Sequence, residues 1–390
     1  MKCGLATVDS GCAGARRPRP SLTFGAPWRL PGPEHILSMA MREPSSPPLR
    51  LERTVVRLNE VAKLARCSTA TVSRVLNTPH LVKTEVRERV DVVVRQLGYT
   101  RNAAARALRS RQSQTIGTVI PTLNHAIYAR LVGALQDTLA AEGYSLLVTT
   151  SDFSQQQELK QIRILAARGV DGLVLVGHSH SPEVYPLLAS EAIPYVNTYT
   201  YSPDSEHPSI GFDNSAATAQ ITTLLLDLGH RDFAVMAGFR ADNDRVSDRI
   251  KGVVKTLADA GLALQEDRII EQPYTIDGGR DGLRYALGLN PRPTALICGS
   301  DVLAFGAVIE CNNRKVAVPR ELSIVGFDNL EYAAHLSPPL TTLEVPAAEM
   351  GRRAGDYLIG RLRGRVDPRH IPLKTSLILR QTTAPPPARR

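Results

Sequence analysis

Apolar positions between residues 58 and 97 recur at helical spacing in three short runs. Leu58, Val61, Ala62 and Ala65 give a first helix one buried face. Cys67 falls at a turn, and Ser68 is placed to cap a second helix by accepting from its free backbone N–H groups. The second helix buries Val72, Val75 and Leu76, leaving Thr69, Ala70, Thr71, Ser73 and Arg74 for other surfaces. A third runs from about Thr84 to Leu97 and buries Val86, Val90, Val93, Val94 and Leu97. Two short helices joined by a tight turn describe a helix-turn-helix, whose second helix enters a major groove. Amphipathicity alone fits an ordinary helical hairpin equally well.

From Thr115 onward the period changes. Short β-branched runs (Ile116–Ile120, Leu146–Thr150, Gly172–Val176) alternate with amphipathic helices over Tyr128–Glu142, Gln155–Arg168 and Pro182–Glu191. After Ile193–Thr198 the pattern restarts, with strands predicted at Phe233–Ala237, Ala295–Cys298 and Ser323–Phe327. Strands alternating with helices imply an α/β fold with parallel sheets covered on both faces. Ligands in such sheets sit beyond the carboxyl ends of the strands. That rule selects Asn124, Tyr128, His178, Asn197, Tyr199, Tyr274, Ser300, Asp301, Asp328 and Asn329 as candidate contacts. For His178 and Tyr199 the alternative is an ordinary loop or partly buried side chain.

Charge divides the chain in the same places. Residues 55–112 carry twelve basic against four acidic side chains, a net +8; residues 1–54 carry eight against four, +4. Residues 113–390 carry 27 against 30, a net −3. A basic head on a slightly acidic body points to a polyanionic partner for the head alone. Residues 1–54 are rich in Pro, Arg, Gly and Ser without an apolar period, the composition of a disordered extension. Met39 and Met41 offer a later translation start. No apolar run reaches membrane-spanning length. The five cysteines show no paired metal-ligand spacing, which reads as reduced thiols in a cytoplasm and no metal site. Cys67 reads as a small hydrophobe, with a redox switch as the alternative.

The chain resembles the lac repressor family of bacterial transcription regulators over about Val56 to Thr383. TVSRVLN at Thr71–Asn77, LGY at Leu97–Tyr99 and the alanine–arginine–leucine pattern at Ala105–Leu108 carry the likeness at the head. Downstream it continues in IGTVIP (Ile116–Pro121), GFDN (Gly211–Asn214), LGH (Leu228–His230), SDVLAFGA (Ser300–Ala307), SIVGFDN (Ser323–Asn329) and TTLEVPAAEMG (Thr341–Gly351). The resemblance implies a helix-turn-helix head over residues 55–100 and a hinge helix over 101–112. It also implies a two-lobed, periplasmic-binding-protein-like effector-binding and dimerisation domain over 113–383, its lobes joined by three crossovers around a cleft. A disordered tail is expected over 384–390.

At the head, family-matching positions place Thr69, Ala70 and Arg74 on base edges; arginine can donate two bonds to guanine, worth about 1–3 kcal/mol of discrimination. Ser68 caps the helix, and Thr71, Ser73 and Asn77 are expected on phosphates, with helix solvation as the alternative for Thr71 and Ser73. In the hinge, beginning at Asn102, the resemblance makes Leu108 a minor-groove wedge and Arg106 and Arg109 phosphate contacts. The family's turn glycine is replaced by Arg66 and its hinge proline by Arg101. Arg66 in a left-handed conformation costs on the order of 1 kcal/mol.

In the body, Arg249 matches a family arginine and can clamp a carboxylate or two hydroxyls, opposite Asp328. A structural salt bridge is the alternative for each charge, and Asp213 and Asn214 can instead orient the crossover. The expected partners are double-stranded operator DNA, a small-molecule effector (a sugar, sugar acid or phosphorylated sugar) and a second copy of the chain, with no cofactor and no membrane. The similarity leans toward members that sense gluconate or related sugar acids. Two other readings compete: a sugar-binding protein without a regulatory role, and a carbohydrate-active enzyme. The latter is disfavoured because no phosphate-binding loop or nucleophile elbow occurs.

Overall fold

The computed structural model describes residues 56–99 and 112–388. The chain divides into two units, residues 1–100 and 101–390.

The described part of the first unit is three α-helices, α1 (Leu58–Leu64), α2 (Thr69–Asn77) and α3 (Thr84–Leu97), with a short 3-10 turn at Pro79–Leu81. Val61, Ala62, Ala65, Val72, Val75, Val90 and Val93 are buried together, with Cys67, Leu76, Val94 and Leu97 packed around them. The expected helical period therefore produces one shared core. Arg66 takes the left-handed conformation in the α1–α2 turn, φ +50°, where glycine would sit without strain. Gly98 closes α3 in the same conformation, φ +60°.

The second unit is two α/β lobes. The first lobe begins with β1 (Thr115–Ile120), α4 (Ala126–Ala141), β2 (Ser145–Thr150), α5 (Gln155–Ala167), β3 (Gly172–Val176), α6 (Val184–Ser190), β4 (Tyr195–Thr198) and β5 (Ser209–Gly211). The chain then enters the second lobe with α7 (Asn214–Asp227), β6 (Phe233–Ala237), α8 (Asp244–Asp259), β7 (Ile269–Glu271), α9 (Ile276–Leu287), β8 (Ala295–Cys298), α10 (Asp301–Arg314), β9 (Ser323–Asp328) and β10 (Thr341–Glu344). It returns to pack α11 (Ala347–Leu362) on α4 and add β11 (His370–Pro372) to the first sheet, then crosses again to place β12 (Ser376–Ile378) in the second. Three crossings thus join the lobes.

The sheet orders are β11-β5-β4-β3-β1-β2 and β12-β10-β9-β8-β6-β7. All pairs are parallel except β10 with β12. That strand arrives straight from β11 without a helical crossover on its own sheet, which a parallel pairing would need. The interior strands read as continuous apolar runs, as sheets covered on both faces require: every residue of β3, β6 and β8 is buried.

The expectation of a disordered tail from residue 384 is corrected at its start. His230, fully buried at the end of α7, shares its ring Nε2 with the Ala384 carbonyl and the Ser323 hydroxyl. The Ala384 amide donates to the same hydroxyl at 3.1 Å. Composition suggested a loose APPPARR end, but these bonds hold its first residue against β9.

Candidate functional site

In the head, Ser68 caps α2 as the sequence predicts: its hydroxyl accepts from the Thr71 amide at 3.1 Å and lies 2.9 Å from the Thr71 hydroxyl. Thr69, Ala70 and Arg74 are exposed, on the first two turns of α2. Asn77 folds back along the helix, donating to the Ser73 carbonyl (2.8 Å) and hydroxyl (3.1 Å). Val72 and Val75, on the opposite side, tie α2 into the core and so orient the exposed side. The hinge candidates Asn102, Arg106, Leu108 and Arg109 lie outside the described residues.

In the second unit a cleft opens between the lobes at the carboxyl ends of the strands. Its inner cavity, about 30 Å³, brings together six expected residues: Tyr128 on α4, Tyr199 after β4, Arg249 on α8, Tyr274 before α9, Ser300 capping α10 and Asp328 ending β9. That is room for roughly two waters. It opens toward an outer pocket of about 520 Å³ that shares His125, Asn243, Tyr274 and Val302, and Asn124 lines only this outer part.

Arg249 is held in place by the protein itself. Its Nε donates to Asn214 Oδ1 (2.9 Å), its Nη1 to the Gly299 carbonyl (2.8 Å), and its guanidinium lies 3.7 Å over the Phe327 ring. The α7–α8 packing that aims it needs Gly252, where a Cβ would stand 2.3 Å from the Ser215 carbonyl. Asp328 sits at φ +117°, a strained conformation for a side-chain-bearing residue, and accepts from the Ser300 hydroxyl at 3.2 Å. Burial pushes its carboxyl up to about 7 against the pull of Arg249. Tyr199, also at positive φ, donates its hydroxyl to the Ile127 carbonyl and packs edge-on against Tyr128. Burial raises the Tyr128 phenol to about 12 and lowers His125, so both are neutral hydrogen-bonding groups near pH 7.

Four expected contacts line neither the cavity nor the outer pocket; one is Asn329, whose Oδ1 accepts from Arg380 Nη2 at 2.8 Å. Asn197 precedes the last residue of β4, and strand alternation sends its side chain to the other face, where it donates to the Tyr185 hydroxyl. His178 turns to Asp244, donating its backbone N–H to Oδ2 at 2.7 Å with its ring Nδ1 2.9 Å from the same oxygen. Asp301 is fully buried below the cavity, accepting from the Leu330 amide at 2.7 Å and from the Thr342 hydroxyl. Burial and then the nearby Asp328 charge raise its carboxyl to about 8. It positions the Asp328–Leu330 turn instead of facing ligand. Asp213 caps α7, and the Asn214 amide donates to the Tyr199 carbonyl.

His125, Asn243 and Arg245 line the cavity and were missed. Each lies at or next to a helix start, after a loop whose course no periodicity reports. Asn243 had a signal, since an asparagine before an amphipathic run marks an N-cap. Arg245 is buried, its Nη1 donating to Asp244 Oδ1 (2.7 Å) and to the Val176 carbonyl of the first lobe (3.1 Å). Burial alone would raise Asp244, but Arg245 and His178 hold it well below the usual carboxylate range.

Among the described residues no helix is long and apolar enough to cross a membrane, and no group of acidic, histidine or cysteine side chains is set to hold a metal.

Residues 57–102 match the family described as "Bacterial regulatory proteins, lacI family", and residues 222–383 match "Periplasmic binding protein-like domain". The chain is 30% identical to catabolite control protein A of Priestia megaterium over 76% of this chain and 89% of that protein. It is 31% identical to the ribose operon repressor of Haemophilus influenzae over 83% of this chain and 98% of that one. A solved lac repressor dimer, bound to operator and the anti-inducer ONPF, superposes with TM-score 0.76 at 26% identity, covering 84% of this chain and 99% of that one.

Proposed function

This chain belongs to the lacI family of bacterial regulatory proteins, a ligand-responsive, DNA-binding repressor, and from that premise we propose that its effector is a carbohydrate held in the cleft between the lobes. The observation that carries the reading is the convergence of Arg249, Asp328, Ser300 and Asn243 on one cavity at the strand ends. These donors and acceptors, all from the second lobe, face Tyr128 and Tyr199 of the first and suit a dense array of hydroxyls. The name of the ribose operon repressor supports a sugar, and Arg249 also accommodates a sugar acid.

Closure supplies the coupling. Arg245 to Val176, Asp244 to His178 and Arg130 Nη1 to the Asn329 carbonyl (2.9 Å) all bridge the lobes. A ligand touching both walls favours the closed arrangement and shifts operator affinity by its differential affinity for the two states. Arg74, Thr69 and Ala70 read base edges, while the hinge from Asn102 through Arg106, Leu108 and Arg109 engages the minor groove and phosphates. The regulator acts in the cytoplasm as a homodimer on a near-palindromic operator, a reading supported by the solved lac repressor dimer, and it has no catalytic role. A thermal-shift panel of sugars and sugar acids on the full chain tests this, since a ligand of the folded state raises its melting temperature. Stabilisation that Arg249→Ala removes supports the reading. A full response in Arg249→Ala and Asp328→Ala places the ligand elsewhere.

A further inference from the structure

The two compartments of the cleft differ in chemistry. The inner one is polar and small, about 30 Å³, while the outer is roomy, about 520 Å³. Phe153 from the first lobe and Phe239 and Tyr274 from the second face this outer space, and Asp152 is its single acidic or basic side chain apart from His125. Phe239 is 56% exposed, an aromatic ring left in water where the cleft opens. Phe153 is held at φ +61°, costly for a bulky residue, with its ring centroid 6.0 Å from Tyr274 and 6.1 Å from His125. The phenol end of Tyr274 packs against Gly238, where a Cβ would stand 2.5 Å from the ring, and this glycine lets Tyr274 line both compartments.

A wall of rings with almost no charge gains by covering a flat surface, an aromatic ring or the C–H face of a second sugar. A phosphate would find no lysine or arginine there. A free sugar acid, held by the inner groups alone, would leave the wall in water. We propose that the effector is a sugar joined through its glycosidic bond to a second ring, the sugar read by Arg249, Asp328 and Ser300 and the second ring stacked on Phe153, Phe239 and Tyr274. The proposal rests on the carbohydrate reading above and specifies the ligand class within it.

Calorimetry on the full chain with matched probes tests it. Glucose, galactose, ribose and gluconate are compared with cellobiose, lactose, the phenyl β-glycosides of glucose and galactose, and adenosine and cytidine. A two-ring probe should bind at least tenfold more tightly than its parent sugar. Phe153→Ala and Phe239→Ala should each remove about tenfold of that affinity while leaving the parent's unchanged. The melting temperature of each ligand-free variant verifies that it folds. Disaccharide, aryl glycoside and nucleoside arms identify the source of the second ring. A parent sugar or gluconate binding tightest overturns the proposal but leaves the carbohydrate reading standing. A two-ring preference that both phenylalanine variants retain overturns it as well. Binding by no carbohydrate removes both readings together.

Discussion

Arg245 joins the lobes: from the start of α8 its Nη1 reaches the carbonyl of Val176, the last residue of β3, at 3.1 Å. The approach depends on the next residue. Gly177 sits at φ +86°, and a Cβ there would stand 1.9 Å from the same nitrogen. Gly177→Ala should therefore displace the guanidinium and disfavour closure. A hydrogen bond to a charged group contributes about 1.5–3 kcal/mol, so effector affinity should fall roughly tenfold or more. Calorimetry checks this, and wild-type affinity would show that the bridge does not hold the cleft shut.

Arg74 stands exposed on α2 beside Thr69 and Ala70. Arg74→Ala should weaken specific DNA binding by about 1–3 kcal/mol and relax preference at one symmetric pair of operator positions. Binding to single-base variants of an operator selected in vitro measures both effects. An equal loss on every sequence would make Arg74 a phosphate contact.

Arg66 carries left-handed strain in the α1–α2 turn and is exposed. Arg66→Gly should stabilise the head by up to about 1 kcal/mol. Hydrogen exchange of the α1 and α2 amides in the full chain should slow accordingly.

Asp301 and Asp328 give the second unit a pH dependence of defined sign. Both carboxyls lie above their ordinary value of 3.8, Asp301 at about 8 and Asp328 at about 7. The folded state therefore holds protons that the unfolded chain releases. Their stabilising effect is complete below about pH 4 and is lost as pH rises through about 7 to 8. Asp301→Asn, neutral at every pH, should flatten the fall in melting temperature between pH 5 and 8, about the window these shifts define. An unchanged slope would mean that Asp301 stays ionised in the fold.

The head was legible because its periodicity, cap and turn are local signals. The span of α3 coincides with the predicted Thr84–Leu97, and Ser68 caps α2. The strands β3, β6 and β8 coincide with their apolar runs, whereas the short strands β5, β7, β11 and β12 were not predicted, since three residues carry no period. The strand-end rule found Asp328 and the family match found Arg249, but the rule failed where orientation decides. Asn197 and Asp301 sit close to strand or helix ends with their side chains turned inward. Arg245 was invisible because its role depends on a carbonyl 69 residues away.

The coupling of cleft to DNA is tested most directly by operator affinity with and without the bound carbohydrate, in wild type and Arg249→Ala. Fluorescence anisotropy on an operator selected in vitro, with the strongest carbohydrate from the binding panel, provides the readout. Ligand should change wild-type affinity about fivefold or more. Arg249→Ala should bind the operator with near wild-type affinity in the absence of ligand and lose the response to it. An undiminished response in Arg249→Ala would contradict the account, because the ligand would then act from a site other than this cleft.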